Sequence, residues 1–270
     1  MTYTVVCFHA HPDDEVLLMG GTMARLATEG HRIVVVTATI GERGLAAAEV
    51  TTDRTLADVR IEELRRSAEL LGAARVVVLG YKDSGTNPDG DDPNAFMAVP
   101  LDEAARRLFA VLEEEHADVL TIYDPVGGYG HPDHVQVHRV GRRAAELAHT
   151  PLVLQVTVDR VALQKALRLV RWFAPQTPDF RASRFAHSYT HPLGITHKVN
   201  VGKFLPQKRA AMLAHASQST SDGPDRAMKW FVRLPSPLFR FAFGHEWFVE
   251  QGRQPRKRPL DDVLATLRPR

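Results

Sequence analysis

Two short stretches hold residue types that bind metals and move protons. The first reads Ala10-His11-Pro12-Asp13-Asp14-Glu15, and the second Gly127-Gly128-Tyr129-Gly130-His131-Pro132-Asp133-His134. Each contains a His-Pro-Asp core. A histidine and an aspartate three positions apart can converge on one ion when a proline fixes the turn between them. A catalytic zinc commonly takes three protein ligands from histidine and carboxylate and keeps a fourth position for water. His11, Asp14 and His134 supply that set. The first stretch also suits a helix start by itself, with an early proline, a capping carboxylate and acids near the positive end of the dipole. A helix cap, however, has no need of His131 and His134.

For the two motifs to meet, the fold has to bring them to one edge. The first 160 residues alternate short β-branched runs with longer helical patterns. Residues 5–9 are strand-like and stop at the turn-prone His11-Pro12-Asp13-Asp14. Val16, Met19, Met23 and Leu26 then recur at helical spacing, closed by Gly30 in a C-terminal capping position. Ile33-Val34-Val35-Val36 and Val76-Val77-Val78-Leu79 are continuous apolar runs that suit strands buried on both faces. Helical patterns over 53–71, 101–116 and 133–149, with strand-like runs over 119–123 and 152–158, complete the alternation. This order predicts an α/β fold: a Rossmann-like, mostly parallel sheet with helices on both faces, joined by right-handed crossovers. Ligands of such sheets sit beyond the carboxyl ends of the strands. That places the segments after His9, Thr39, Leu79 and Tyr123 around the site, and both His-Pro-Asp motifs are among them.

Beyond residue 160 the pattern blurs. Helical patterns over 161–173 and 203–216 precede an aromatic-dense stretch, 230–248, broken by Pro235 and Pro237. We expect one domain over 1–270, in which 161–270 form a smaller region that packs on the 1–160 core and closes one side of the site. Asn87-Pro88-Asp89-Gly90-Asp91-Asp92-Pro93 reads as a loop by the mouth of that site.

Composition narrows the function classes. Lys and Arg total 34 against 32 acidic residues, a net charge of +2, so no nucleic-acid footprint is read. Six basic residues from Arg253 to Arg270 gather in the tail and suit a solvated terminus. The single cysteine, Cys7, lies in an apolar run; no intramolecular disulfide can form, and a zinc site must rely on histidine and carboxylate. No basic-then-apolar leader and no long apolar run is read, so the expected location is cytoplasmic, without a membrane span. A nucleotide-binding Rossmann protein fares badly, because the first strand leads into His-Pro-Asp-Asp-Glu where a glycine-rich phosphate turn belongs.

The paired motifs resemble the signature of the LmbE-like, or PIG-L, N-deacetylases. Arg60-Ile61-Glu62-Glu63-Leu64 before Leu71-Gly72, Asp83-Ser84-Gly85, and 208–218 with Ala214-His215-Ala216-Ser217-Gln218 also resemble segments of that family. The resemblance covers roughly residues 4 to 220. It implies one zinc ion, with iron(II) as the other candidate, on His11, Asp14 and His134. It also implies Asp13 as general base and Asp133 with His131 as a supporting pair. Those roles are physically sound: a carboxylate beside an activated water can take its proton and return it to the leaving amine. A protonated His131, oriented by Asp133, would stabilise the developing oxyanion, and Tyr129 would add a hydrogen bond there. Gly41-Glu42-Arg43-Gly44, Asp83 and Ser84 are candidates to bind sugar hydroxyls, and Arg60 to reach an anionic or polyol group. His215 suits a satisfied structural histidine equally well. The expected partner is a small N-acyl substrate, sugar-like, with an amidase acting on a thiol conjugate or other non-sugar amide as the alternative. A homo-oligomer is compatible with the sequence.

Overall fold

The computed structural model describes residues 1–42, 55–85, 92–165, 188–217 and 227–268. One seven-stranded sheet runs in the order β3-β2-β1-β4-β5-β7-β6. The strands are β1 Thr4–His9, β2 Arg32–Thr39, β3 Arg75–Tyr81, β4 Val119–Tyr123, β5 Leu152–Thr157, β6 His197–Asn200 and β7 His245–Glu250. The first five pair in parallel, and β7 adds antiparallel to β5 with β6 beyond it. The helices are α1 Asp14–Thr28, α2 Leu56–Leu70, α3 Leu101–Glu114, α4 Pro132–Ala148, α5 Leu205–Ala214, α6 Ala227–Arg233 and α7 Ser236–Phe243.

From β1 the chain steps outward in one direction through α1 and α2, then returns through α3 and continues in the other direction through α4. Right-handed crossovers in opposite directions put α1 and α2 on one face and α3 and α4 on the other. Both faces of the central strands are thereby covered, which is why β1 and β2 tolerate uninterrupted apolar runs: Val5 to Phe8 and Ile33 to Val36 are fully buried or nearly so. Cys7 sits in the middle of β1, and burial pushes its thiol up to about 12. The strand order reverses between β1 and β4, and the crevice at such a switch point is where ligands bind.

The aromatic-dense stretch does more than the expected capping region. Part of it is strand β7, which together with β6 extends the central sheet. The helical pattern expected over 161–173 lies mostly outside the described residues.

α1 is broken. Met19 leaves helical geometry (φ −146°, ψ 16°), and the amides of Gly21 and Thr22 turn instead to the Glu246 carboxylate at 2.9 and 2.7 Å. Lys208 of α5 closes the splice, donating to Glu246 Oε1 at 2.6 Å and to the Leu17 carbonyl at 3.0 Å. Lys208 and Glu246 are 1% and 2% exposed, so each charge depends on its partner. Lys208→Met is expected to cost up to about 3–5 kcal/mol in urea denaturation, because it strands a buried carboxylate. The double variant Lys208→Met/Glu246→Gln should lose less than the single one; an equal or larger loss would show that the charges are not coupled.

Candidate active site

Four strand ends meet at the switch point. The loop after β1 carries His11 and Asp13, and α1 begins with Asp14 and Glu15; the end of β2 leads to Gly41 and Glu42; β3 leads to Asp83 and Ser84; β4 leads to the glycine loop and then α4 with Asp133 and His134. Gly127, Gly128 and Gly130 all have positive φ (66°, 65° and 93°), so the glycine loop follows a path that other residues resist. Asp124, buried at the end of β4, accepts from the Gly128 amide at 2.8 Å and from Thr157 at 2.7 Å, and so ties the loop to β5.

Within this cleft the Asp14 carboxylate lies between two imidazoles. Its Oδ2 is 3.3 Å from His11 Nδ1 and 3.3 Å from His134 Nε2. Despite burial, His134 and His11 hold the Asp14 carboxyl well below the ordinary carboxylate range. The opposite nitrogen of His11, Nε2, is 3.1 Å from Asp133 Oδ2 and 3.5 Å from Asp83 Oδ1. Carboxylates flank both ring nitrogens, and in spite of burial Asp133, Asp14 and Asp83 hold His11 well above the ordinary imidazole range, so each nitrogen donates to a carboxylate. A bound cation would replace the Nδ1 proton and leave Nε2–H on Asp133. His134 Nε2 is buried and has no hydrogen-bond partner among the described residues. A buried nitrogen without a partner is costly, and a cation drawing on His11 Nδ1, Asp14 Oδ2 and His134 Nε2 would satisfy all three atoms. The donor set therefore fits a metal. His11, His131 and His134 also offer one ring nitrogen each within 4.8 Å of one another, as do His11, Asp83 and Asp133 with one atom each. Tyr123 backs His134 in a stacked pair, with ring centroids 4.3 Å apart.

Asp13 stands beside this set and takes a different part. Its backbone is at φ 101°, and its side chain makes no capping bond to α1. Arg60, buried in α2, donates to the carbonyls of Pro12 (3.1 Å) and Gly41 and lies 3.5 Å from Asp13 Oδ2. Desolvation pushes the Asp13 carboxyl up to about 6, against the pull of Arg60.

The sequence-selected residues do converge, but several of their bonds differ from expectation. Asp133 does not turn its carboxylate to His131. Oδ2 faces His11 and accepts from the Ser84 amide at 3.0 Å, while Oδ1 accepts from the Ser84 hydroxyl. His131 is the N-cap of α4, and its Nδ1 accepts from the Asp133 amide at 3.2 Å. A cap therefore does use His131, contrary to expectation, and the orienting group is the Asp133 backbone. Burial, with His11 and His134 close by, lowers His131 to about 4, so it is neutral rather than protonated. Its remaining proton sits on Nε2. Ser84 and Arg60 are buried, and their polar groups serve Asp133 and the loop carbonyls. Asp83 is buried next to His11, which holds its carboxyl low in spite of the burial. Tyr129 is 43% exposed at the rim, its ring 6.1 Å from that of His131 and 5.0 Å from that of His134. Arg43, Gly44 and residues 87–91 of the 87–93 loop lie outside the described residues.

Sequence reasoning passed over Tyr123, Asp124 and the role of Glu15. The signal for Glu15 was present, as the last residue of the first motif, but its partners His215 and Ser67 are distant in sequence.

Comparison with known proteins decides the family. The profile described as "PIG-L: GlcNAc-PI de-N-acetylase" matches residues 6–145, which hold both His-Pro-Asp motifs. The chain belongs to the PIG-L family. A Streptomyces avermitilis protein named 1D-myo-inositol 2-acetamido-2-deoxy-alpha-D-glucopyranoside deacetylase is 39% identical, over 95% of this chain and 96% of its own. As a PIG-L protein whose full-length relatives are named deacetylases, the chain is a hydrolase of amide bonds. Its fold is shared with the N,N'-diacetylchitobiose deacetylase of Pyrococcus horikoshii, at a TM-score of 0.61 and 20% identity, over 92% of this chain and 83% of that one. It is also shared with a 4-carboxy-2-hydroxymuconate hydratase of Pseudomonas putida, at a TM-score of 0.57 and 18% identity, over 95% and 99% of the chains. The fold alone therefore accommodates more than one reaction. Among the described residues, no helix of this PIG-L protein is long and apolar enough to cross a membrane.

Proposed function

We propose that this chain is a zinc-dependent N-deacetylase of an acetylated amino-sugar conjugate, with an N-acetylglucosaminyl inositol as the substrate class. The substrate class follows the relative that matches nearly the whole chain. The metal dependence rests on one observation: the buried, unpartnered Nε2 of His134 beside Asp14 and His11 at the β1–β4 switch point.

His11, Asp14 and His134 would hold the ion. When bound, zinc there would acidify a water and polarise the amide carbonyl. Asp13 accepts the proton of the attacking water and returns it to the leaving amine nitrogen. Its freedom from capping leaves the carboxylate available for this. His131 is neutral, with Nδ1 occupied by a backbone amide, so it offers Nε2–H to the carbonyl oxygen as negative charge develops. Asp133, itself held by the Ser84 amide and hydroxyl, orients His11 by accepting its Nε2 proton, and so supports a metal ligand rather than His131. Tyr129 stands at the rim, where its hydroxyl can meet the substrate. Arg60 holds the loops that frame the site, through the Pro12 and Gly41 carbonyls.

The test measures metal content together with acetate release from N-acetylglucosaminyl inositol, free N-acetylglucosamine and a non-sugar N-acetyl amide. Bound metal with fastest release from the inositol conjugate is the expected result. Bound metal with release only from the non-sugar amide would overturn the sugar substrate and leave the site. A wild-type chain that takes up no metal would overturn the proposal.

A further inference from the structure

Glu15 is completely buried and serves three donors. Its Oε1 accepts from Ser67 Oγ at 2.6 Å and from His215 Nε2 at 2.7 Å, and its Oε2 accepts from the Asp13 amide at 2.8 Å. Ser67 comes from α2 and His215 from the C-terminal end of α5, and both are also fully buried. The Asp13 amide that Glu15 holds belongs to a residue at φ 101°, in the left-handed half of backbone space that non-glycine residues avoid. Such a conformation persists only where the surroundings over-determine it. Here they do: Glu15 fixes the amide side of Asp13, and Arg60 fixes the Pro12 carbonyl just before it.

We infer that His215 is a positioning residue: through Glu15 it locks the Asp13 backbone in its left-handed conformation and so sets where the Asp13 carboxylate stands. The inference rests on the proposed role of Asp13. The lock works because a carboxylate with one donor can rotate, whereas Glu15 is held on one oxygen by two donors from two different helices. That leaves its second oxygen a fixed acceptor for Asp13. A histidine that only joined α5 to α1 would need none of this alignment, and its loss would weaken the fold without selecting a kinetic constant.

The variants are His215→Met, which removes the donor, and His215→Gln, whose amide N–H can reach Glu15. With metal loaded, His215→Met is expected to lower kcat by roughly tenfold to a hundredfold, the penalty of a small misplacement. KM and metal content should stay near wild type, and His215→Gln should recover most of kcat. An unchanged kcat in His215→Met, or a Gln variant as impaired as the Met variant, would overturn the inference. A crystal structure of metal-loaded His215→Met gives a readout that needs no turnover. Asp13 leaving positive φ supports the lock, and Asp13 remaining near its wild-type φ refutes it. If the Met variant does not fold, Ser67→Ala removes another donor to the same oxygen and is read the same way. Were Asp13→Asn itself to keep full activity, the base assignment would fail, while the φ comparison would still decide whether His215 holds Asp13.

Discussion

Asp13→Asn is expected to lower kcat by about 10²–10⁴-fold, the range that a positioned acid or base contributes. The amide keeps the size of the carboxylate and can still sit 3.5 Å from Arg60, so the local fold should survive. What it loses is the ability to take a proton. Asp13 is one position from Asp14 yet faces Arg60 and the Pro12–Glu15 turn, not the histidine nitrogens. Metal content in the variant should therefore match wild type. The combined measurement separates two ideas: lost turnover with retained metal marks a base, whereas parallel loss of both would make Asp13 a ligand.

His134→Ala is expected to abolish both metal retention and turnover. The alanine leaves Asp14 Oδ2 with a single imidazole neighbour, His11 Nδ1, and removes the nitrogen that lacks any other partner. Loss of a supporting residue around a metal typically costs 10–100-fold in affinity, and loss of a ligand should exceed that. A chelator competition titration reads the affinity directly. His134→Ala also removes the ring that stacks on Tyr123, so its stability without metal should be compared with metal-free wild type. Tight metal binding by the variant would show that His11, His131 and the carboxylates suffice, and would move the ion to the other cluster.

Much of this architecture was legible in the residues, for identifiable reasons. The strands of the parallel core announce themselves because burial on both faces demands unbroken apolar runs, as in Ile33 to Val36. The motif residues were legible because the two His-Pro-Asp stretches each gather several candidate residues within a few positions, at the ends of strands that the apolar runs already mark. The edge strands were not. In β6, buried and exposed positions alternate over only four residues, and in β7 the residues His-Glu-Trp-Phe-Val-Glu read as one more part of an aromatic stretch. Pairings across the fold were equally hidden. Which nitrogen the Asp133 carboxylate would choose depends on where β1 ends relative to β4, and spacing along the chain carries no such information. Lys208 is the clearest case. A buried lysine is rare unless paired, and nothing near it in sequence names Glu246 as the partner.

The chain has a single thiol, and it lies in the innermost part of the sheet, flanked in β1 by Val6 and Phe8 and paired in register with β2 on one side and β4 on the other. Its sulfur is fully shielded and held as the protonated, unreactive form. In the folded protein Cys7 is accordingly shielded from oxidants and alkylating agents. The protein can be handled without the reducing thiols that would otherwise compete for a bound metal. Any modification of Cys7 counts moments when the two neighbouring strands have parted, which makes the protein its own clock for the opening of its core.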